Sequence, residues 1–227
     1  MVRSGNKLTG FSVHAKDGEI GRIYDFIFDE FLWTIRYAEI DIGRWVPGKV
    51  VLLSTQVLGP SALSTIDTKL TIKQITNCPT IDPQEIPSRK YEEELHNYFS
   101  WVYYWAEQRE VSQYRISCKL QSVFSLIGFK LQAIDGEIGH LDDVLIDDLE
   151  WKIRYLVIDT GTWFSGKKVL VSPLWDGRVD DNSHILKIDV SMEKIKSAPP
   201  FDYSIPLTNE YEVILHQHYH KKPYWNV

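Results

Sequence analysis

The sequence is poor in cysteine and contains no long apolar run. Its 227 residues include two cysteines, Cys78 and Cys118, whose spacing fits no metal-binding or redox motif. Isolated thiols of this kind are typical of a reducing compartment, so we expect both to be free and structural. No stretch approaches the roughly 18 uninterrupted apolar residues of a membrane-spanning helix, so we expect no transmembrane segment.

The sequence also lacks an excess of positive charge. Acidic residues outnumber basic ones by 31 to 25, the net charge is −6, and no basic run exceeds the pair Lys221-Lys222. A surface that binds nucleic acid needs clustered lysine and arginine to replace the counterions of the phosphates, so we expect no nucleic-acid partner. Residues 1–7 lack the apolar run of a signal peptide, which favours a cytoplasmic protein and leaves open peripheral attachment to the inner membrane.

The sequence contains one segment that is repeated. Asp17-Gly18-Glu19-Ile20-Gly21 recurs 118 residues later as Asp135-Gly136-Glu137-Ile138-Gly139, and the register then holds without a gap. Roughly half of the positions between Phe11 and Ser54 are identical in residues 129–172. A repeat of this length indicates two copies of one domain.

The repeat divides the chain into two halves that are each large enough to bury a core. We expect a first domain at residues 1–107, a polar boundary segment at 108–119 and a second domain at 120–227. After each repeat, aromatic and leucine residues fall at helical spacing, which predicts an amphipathic C-terminal helix. Ser88 and Thr208 are suited to cap these two helices.

Turn signals separate short strands within each copy. Asp-Gly is a strong hairpin signal, and a glycine inside a strand often marks a bulge or sharp bend. About six short strands in some 70 residues favour a small closed barrel, because closure removes unprotected edges. The fold class is therefore mostly β with accessory α: two tandem six-stranded antiparallel β-barrels, each followed by a helix. We assign to turns and core Asp17, Gly18, Gly21, Trp33, Asp135, Gly136, Gly139 and Trp151.

Two serines and several aspartates recur in the repeat and have structural interpretations. Ser4 and Ser122 are suited to accept hydrogen bonds from free amides of the following turn. The repeated aspartates lack the glycine and the spacing of a calcium loop, so we expect turn-forming carboxylates. Some of these carboxylates are expected to pair with Arg36 or Arg154, and cation binding is the alternative.

Few residues point to chemistry at a metal or a substrate. His216 and His220 would share a helix face with His218 between them, which is a conceivable two-ligand metal site, but no third ligand is evident. The sequence contains neither a Gly-x-Ser-x-Gly nucleophile turn nor a phosphate-binding glycine loop. We therefore expect no enzyme, no cofactor and no metal, and a solvated or aromatic-packed helix end at the histidines.

The tryptophans of one loop in each copy suggest a contact surface. Trp45 and Trp163 each lie in a loop beside a glycine and a lysine, and loop tryptophans are over-represented at contact sites. We take Trp45, Lys49, Trp163 and Lys167 as a candidate interaction surface. The alternative is that these tryptophans pack on the barrel's own helix or on the other barrel.

The motif Asp-Gly-Glu-Ile-Gly, followed by two aspartates, tryptophan, Ile-Arg-Tyr and Gly-Lys, resembles the PRC-barrel family. That family is named for the cytoplasmic barrel of the photosynthetic reaction centre H subunit, and it includes the C-terminal domain of the ribosome maturation factor RimM. The resemblance covers residues 4 to about 76 and 122 to about 190, and the helices that follow resemble those of bacterial tandem PRC-barrel proteins. It implies a six-stranded barrel that works by contact with other proteins.

The leading expectation is a non-catalytic protein-interaction or scaffold module with an unidentified protein partner, and a homo-oligomer stays open. One alternative is a membrane-associated accessory or assembly factor of a photosynthetic light-harvesting or reaction-centre complex. Another is an accessory factor in RNA processing or ribosome maturation. We expect this chain to depart from both relatives, because the sequence shows neither the transmembrane helix of the H subunit nor the N-terminal domain of RimM.

Overall fold

The computed structural model describes residues 1–106, 119–161 and 166–226. The chain divides into two compact units. The first unit is Lys7–Phe124, and the second unit is Met1–Asn6 together with Ser125–Val227. The predicted boundary segment 108–119 lies outside the described residues except for Lys119.

Strands dominate both units. The strands are β1 (Val2–Ser4), β2 (Ser12–Ala15), β3 (Gly18–Asp29), β4 (Thr34–Asp41), β5 (Val50–Ser54), β6 (Leu58–Ala62), β7 (Thr65–Thr68), β8 (Leu120–Ser122), β9 (Lys130–Ala133), β10 (Gly136–Asp147), β11 (Lys152–Asp159), β12 (Lys168–Val171), β13 (Arg178–Asp180) and β14 (Ile185–Lys187). The helices discussed below are α1 (Gly5–Leu8), α2 (Ile72–Thr76), α3 (Arg89–Phe99), α4 (Val123–Leu126), α5 (Met192–Ser197) and α6 (Asn209–Tyr219). None of the helices within the described residues has the length and hydropathy needed to cross a membrane.

The two units have the same strand order. Hydrogen-bonded neighbours run β5-β4-β3-β2-β7-β6 in the first unit and β12-β11-β10-β9-β14-β13 in the second. The expectation of wholly antiparallel barrels is wrong in one respect, because β2 pairs with β7, and β9 with β14, in parallel. Within the described residues, neither sheet closes through a continuous ladder of strands.

The first strand of each repeat lies in the unit formed by the other half of the chain. Strand β1 pairs with β10, aligning Ser4 with Leu145, and β8 pairs with β3, aligning Ser122 with Ile27. These registers are equivalent at the repeat spacing. The predicted division had assigned residues 1–6 to the first domain, whereas the structure groups them with the second half of the chain.

Gly21 and Gly139 allow close approach between neighbouring strands. The ladder between β2 and β3 shifts register at Val13/His14, and the ladder between β9 and β10 shifts between Glu137 and His140. A Cβ atom added at Gly21 would collide with the Asp41 carbonyl oxygen, and one added at Gly139 would collide with the Asp159 carbonyl oxygen. Any larger residue would therefore push β4 or β11 away.

Trp33 and Trp151 close equivalent turns after the long strands. Both are buried and have positive φ angles, 52° and 53°. The Trp33 ring stacks on Phe28 with ring centroids 5.1 Å apart. These indoles contribute to the core directly beneath the turn that joins two strands.

Hydrogen-bonded caps hold the ends of the C-terminal helices. Ser88 Oγ accepts a hydrogen bond from the Tyr91 amide at 3.2 Å, and Thr208 Oγ1 accepts one from the Tyr211 amide at 3.2 Å. These are the N-terminal caps expected from the sequence. In chain order, α3 follows the strands of the first unit and α6 follows those of the second. Both helices carry polar side chains that hydrogen-bond to a strand.

Candidate functional site

A buried polar cluster joins α3 to β4 in the first unit. Tyr37 Oη lies 2.9 Å from Glu92 Oε1 and 2.8 Å from His96 Nε2. Tyr104 donates its hydroxyl to the same Glu92 oxygen at 2.7 Å, and Arg89 pairs with Glu92 Oε2 at 2.9 Å. Tyr37, Glu92 and His96 are each at most 1% exposed. The cluster fixes the helix on the sheet through three different side chains.

The second unit repeats this arrangement. Tyr155 Oη lies 2.8 Å from Glu212 Oε1 and 3.1 Å from His216 Nε2, and Tyr224 donates to Glu212 Oε1 at 3.0 Å. Arg154 lies over the Tyr224 ring, 4.0 Å from its centroid. We call the two sets the helix anchors: Tyr37, Glu92 and His96 in the first unit, and Tyr155, Glu212 and His216 in the second.

The hydrogen bonds of the first helix anchor fix its proton count. His96 Nδ1 donates to the Val102 carbonyl oxygen at 3.1 Å, because a carbonyl can only accept. The two contacts of Tyr37 Oη then need two hydrogens, which means either imidazolium with carboxylate or neutral imidazole with carboxylic acid. Burial lowers the pKa of His96 and raises the pKa of Glu92, which favours the neutral pair, whereas the Arg89 guanidinium and the hydrogen bonds from Tyr104 and Tyr37 oppose the rise at Glu92.

Burial of the helix anchors limits their chemistry. The tyrosine, glutamate and histidine side chains of each helix anchor resemble an acid–base set. They are buried, however, and hydrogen-bond to one another between helix and strand. The histidine pattern in the sequence pointed to His216 but not to Tyr155 and Glu212, the other members of its helix anchor. A usable signal is present, because Glu-x-x-x-His recurs at equivalent places in α3 and α6.

A second set of buried polar contacts holds β1 and β8, the strands that each lie in the unit formed by the other half of the chain. We call Asp25 and Asp143, which accept these contacts, the strand anchors. Asp143 accepts the Ser4 hydroxyl and the Asn6 amide, the latter at 3.0 Å. Asp25 accepts the Ser122 hydroxyl and the Phe124 amide, again at 3.0 Å for the amide. Each serine hydroxyl thus donates to a buried aspartate, a contact that the sequence analysis did not predict.

Other repeated carboxylates cap turns and pair with arginine as expected. Arg36 Nη2 lies 2.8 Å from Asp29 Oδ2, and Arg154 Nη2 lies 3.0 Å from Asp147 Oδ2. Asp17 Oδ1 accepts the amide of Ile72 at the start of α2. In the second unit, Asp135 Oδ1 accepts the amide of Met192 at the start of α5.

The three C-terminal histidines do not converge. His216 belongs to the second helix anchor, whereas His218 Nε2 donates to the Lys194 carbonyl oxygen at 2.7 Å. His220 Nδ1 donates to the Gln217 carbonyl oxygen at 2.9 Å. Within residues 1–106, 119–161 and 166–226, no three histidine, cysteine or acidic side chains are arranged to hold a metal ion.

The candidate interaction surface is described in the first unit. Trp45 is 45% exposed, at the edge of an open groove of about 650 Å³. We call this the Trp45 groove. It is lined by Asp17, Trp45, Val46, Ile72, Lys73, Thr76 and Asn77.

The lysines of the candidate surface brace its loops. Lys49 Nζ donates to the carbonyl oxygens of Thr76 and Cys78, each at 3.2 Å. Lys167 Nζ donates to the Ala198 carbonyl oxygen at 2.9 Å. Trp163 lies outside the described residues, as does Cys118, whereas Cys78 is a free, buried thiol.

Comparison with known proteins identifies one domain within the chain. Residues 122–195 match the PRC-barrel domain family. An uncharacterised protein of Deinococcus radiodurans is 40% identical over 62 residues. That similarity spans 27% of this chain and 22% of the relative's length.

Proposed function

We propose that this chain is a non-catalytic, cytoplasmic protein-interaction module built from two PRC barrels, the second of which lies in residues 122–195. Support for a first barrel comes from the sequence repeat and from the equivalent bounds of β2–β5 and β9–β12. Support for an interaction role comes from how the polar side chains are used. The helix anchors and the strand anchors are buried and serve internal hydrogen bonds.

The Trp45 groove is the surface that best fits a protein partner, and its exposed indole is the observation that carries the proposal. Tryptophan is enriched among the residues that dominate binding energy at protein interfaces. Around this indole the groove combines the aliphatic Val46 and Ile72 with charges of both signs, Asp17 and Lys73. Such a mixed lining suits a polypeptide segment with one apolar anchor.

The Lys49 contacts hold the loop beside Trp45 in one conformation, as a preformed binding surface requires. They tie the loop that follows Trp45 to the end of α2, so two walls of the groove are joined by two hydrogen bonds. A preorganised loop loses less conformational entropy on binding than a free one. We therefore assign Trp45 to contact with the partner and Lys49 to positioning the loop.

Affinity capture from the native cell tests this proposal. The intact chain, Trp45→Ala and Leu63→Ala are used as baits, because Leu63 is 93% exposed in the same unit but lies outside the groove. We expect a co-purifying protein to be reduced at least tenfold by Trp45→Ala and unchanged by Leu63→Ala. Equal recovery with all three baits would contradict the assignment of the groove.

A further inference from the structure

Glu39 is a buried carboxylate that directly faces another buried carboxylate. It lies on β4 opposite Asp25 of β3, and the two residues are 1% and 3% exposed. Glu39 Oε1 accepts the Gln84 amide at a long 3.4 Å, while Oε2 is buried without a hydrogen-bond partner. Two adjacent buried anions are costly, so the pair favours one retained proton.

The hydrogen bonds around the pair decide which carboxylate carries that proton. Asp25 accepts the Ser122 hydroxyl and the amides of Phe26 and Phe124, and these three donors stabilise its ionised form against burial, which raises its pKa. Glu39 has one weak donor and a free oxygen. The proton therefore belongs on Oε2 of Glu39.

Among the described residues, three further neighbours of Glu39 carry no positive charge. Leu52 faces it from β5, Gln84 from the loop before α3, and the Tyr91 phenol from α3 itself. Burial is the largest effect on the pKa of Tyr91 and raises it, so this phenol stays neutral near pH 7. Burial and the charge of Asp25 raise the pKa of Glu39 to about 7.

The second unit lacks this pair. The residue opposite Asp143 on β11 is Val157, so the second strand anchor has no facing carboxylate. Its carboxylate neighbour on β10, Asp142, is instead paired with Lys168. The residue equivalent to Lys168 in the first unit is the buried Val50. The two units thus share the strand anchor but differ in the charge beside it.

We propose that Glu39 is a proton-binding switch that sets how firmly β8 is held in the first unit. With the proton on Glu39, Asp25 is the single anion of the pair and holds Ser122 and Phe124. When Glu39 loses its proton to the solvent, the repulsion between the two carboxylates opposes the pairing of β8 with β3. Opening at β8 then relieves the repulsion by exposing Asp25 to water.

The amides of Phe124 and Asn6 provide a matched test. Each donates to its strand anchor at 3.0 Å, but Glu39 faces only the anchor of Phe124. Hydrogen exchange by NMR on the full chain, corrected for the intrinsic rate, gives a protection factor for each amide. Between pH 6 and pH 8 we expect protection of Phe124 to fall by about tenfold and that of Asn6 by less than twofold.

Two further measurements assign the effect to Glu39. Glu39→Gln, or Glu39→Val if the glutamine variant fails to fold, should make the protection of Phe124 independent of pH over this range. The ¹³Cδ shift of Glu39 in the unmodified chain should titrate with a midpoint near neutral pH. A parallel decline at both amides, a decline that persists in the variants, or a ¹³Cδ midpoint below pH 5.5 would each overturn the proposal.

Discussion

Ser4 donates its hydroxyl hydrogen to Asp143, a residue 139 positions away in the sequence, and so holds β1 in the second unit. The equivalent bond from Ser122 to Asp25 holds β8 in the first unit. Each half of the chain therefore completes the sheet of the other. The two halves are structurally interdependent even though each has its own core and its own C-terminal helix.

The strand anchors make a first prediction about stability. Ser4→Ala and Ser122→Ala each remove a hydrogen bond to a buried carboxylate, which should lower the free energy of unfolding by about 1–3 kcal/mol. Urea unfolding followed by tryptophan fluorescence measures the change. Ser64→Ala, at an exposed position, is the control and should have no measurable effect. Similar values for all three variants would show that the anchors contribute nothing.

The helix anchors predict a similar loss from removal of a single oxygen. Tyr37→Phe and Tyr155→Phe leave the buried partners of the hydroxyl unsatisfied, so each should cost about 1–3 kcal/mol. Tyr24→Phe serves as the control, because that hydroxyl is partly exposed and accepts a hydrogen bond from Gln84. The same urea titration applies, and a cost for Tyr24→Phe as large as for the other two would contradict this account.

The bulge glycines predict a steric effect. Gly21→Ala would place a methyl group against the Asp41 carbonyl oxygen, so β4 must move and stability should fall by about 1–3 kcal/mol. Gly59→Ala is a matched strand control, because its Cβ would lie 3.6 Å from the nearest atom, an ordinary contact. Thermal unfolding compares the two, and an unchanged midpoint for Gly21→Ala would place the bulge elsewhere.

Glu39 predicts an unusual dependence of stability on pH. Since its pKa in the folded chain is about 7, above the ordinary value near 4.3, the folded state binds more protons between these values. The contribution of Glu39 to stability should therefore fall as pH rises from about 4.3 to 7, by up to about 3 kcal/mol.

Replacement of Glu39 isolates this contribution. Glu39→Gln should be more stable than the unmodified chain at pH 8 and equally stable at pH 4, as measured by urea unfolding at each pH. Glu19→Gln, at an exposed position of β3, controls for the change in net charge. A destabilised Glu39→Gln at pH 8 would contradict the assignment of a buried anion.

Local sequence patterns predicted much of the fold. Asp-Gly turns, glycines at bulges and Ser or Thr caps act through neighbouring residues, so Gly21, Ser88 and Thr208 could be located from the chain alone. The parallel pairing of β2 with β7 could not, because it depends on where a strand returns after more than 40 residues. In the part of the chain that the structure describes, open sheet ladders are found where strand count alone had suggested closed barrels.

Local sequence patterns could not predict that β1 and β8 each lie in the unit formed by the other half of the chain, and the reason is different. Ser4 and Ser122 are equivalent in the repeat, as are Asp25 and Asp143, so sequence cannot tell which serine meets which aspartate. The helix anchors join residues that are 55 to 61 positions apart, such as Tyr37 with Glu92. Their members appear in the sequence as an ordinary strand tyrosine and ordinary helical polar residues.

Site-specific cross-linking in the native cell shows whether the Trp45 groove contacts a protein partner. A photoreactive phenylalanine analogue is placed at position 45 in one strain and at position 63 in another. We expect a discrete cross-linked protein from position 45 that position 63 does not yield. Cross-linking at position 45 no greater than at position 63 would contradict it.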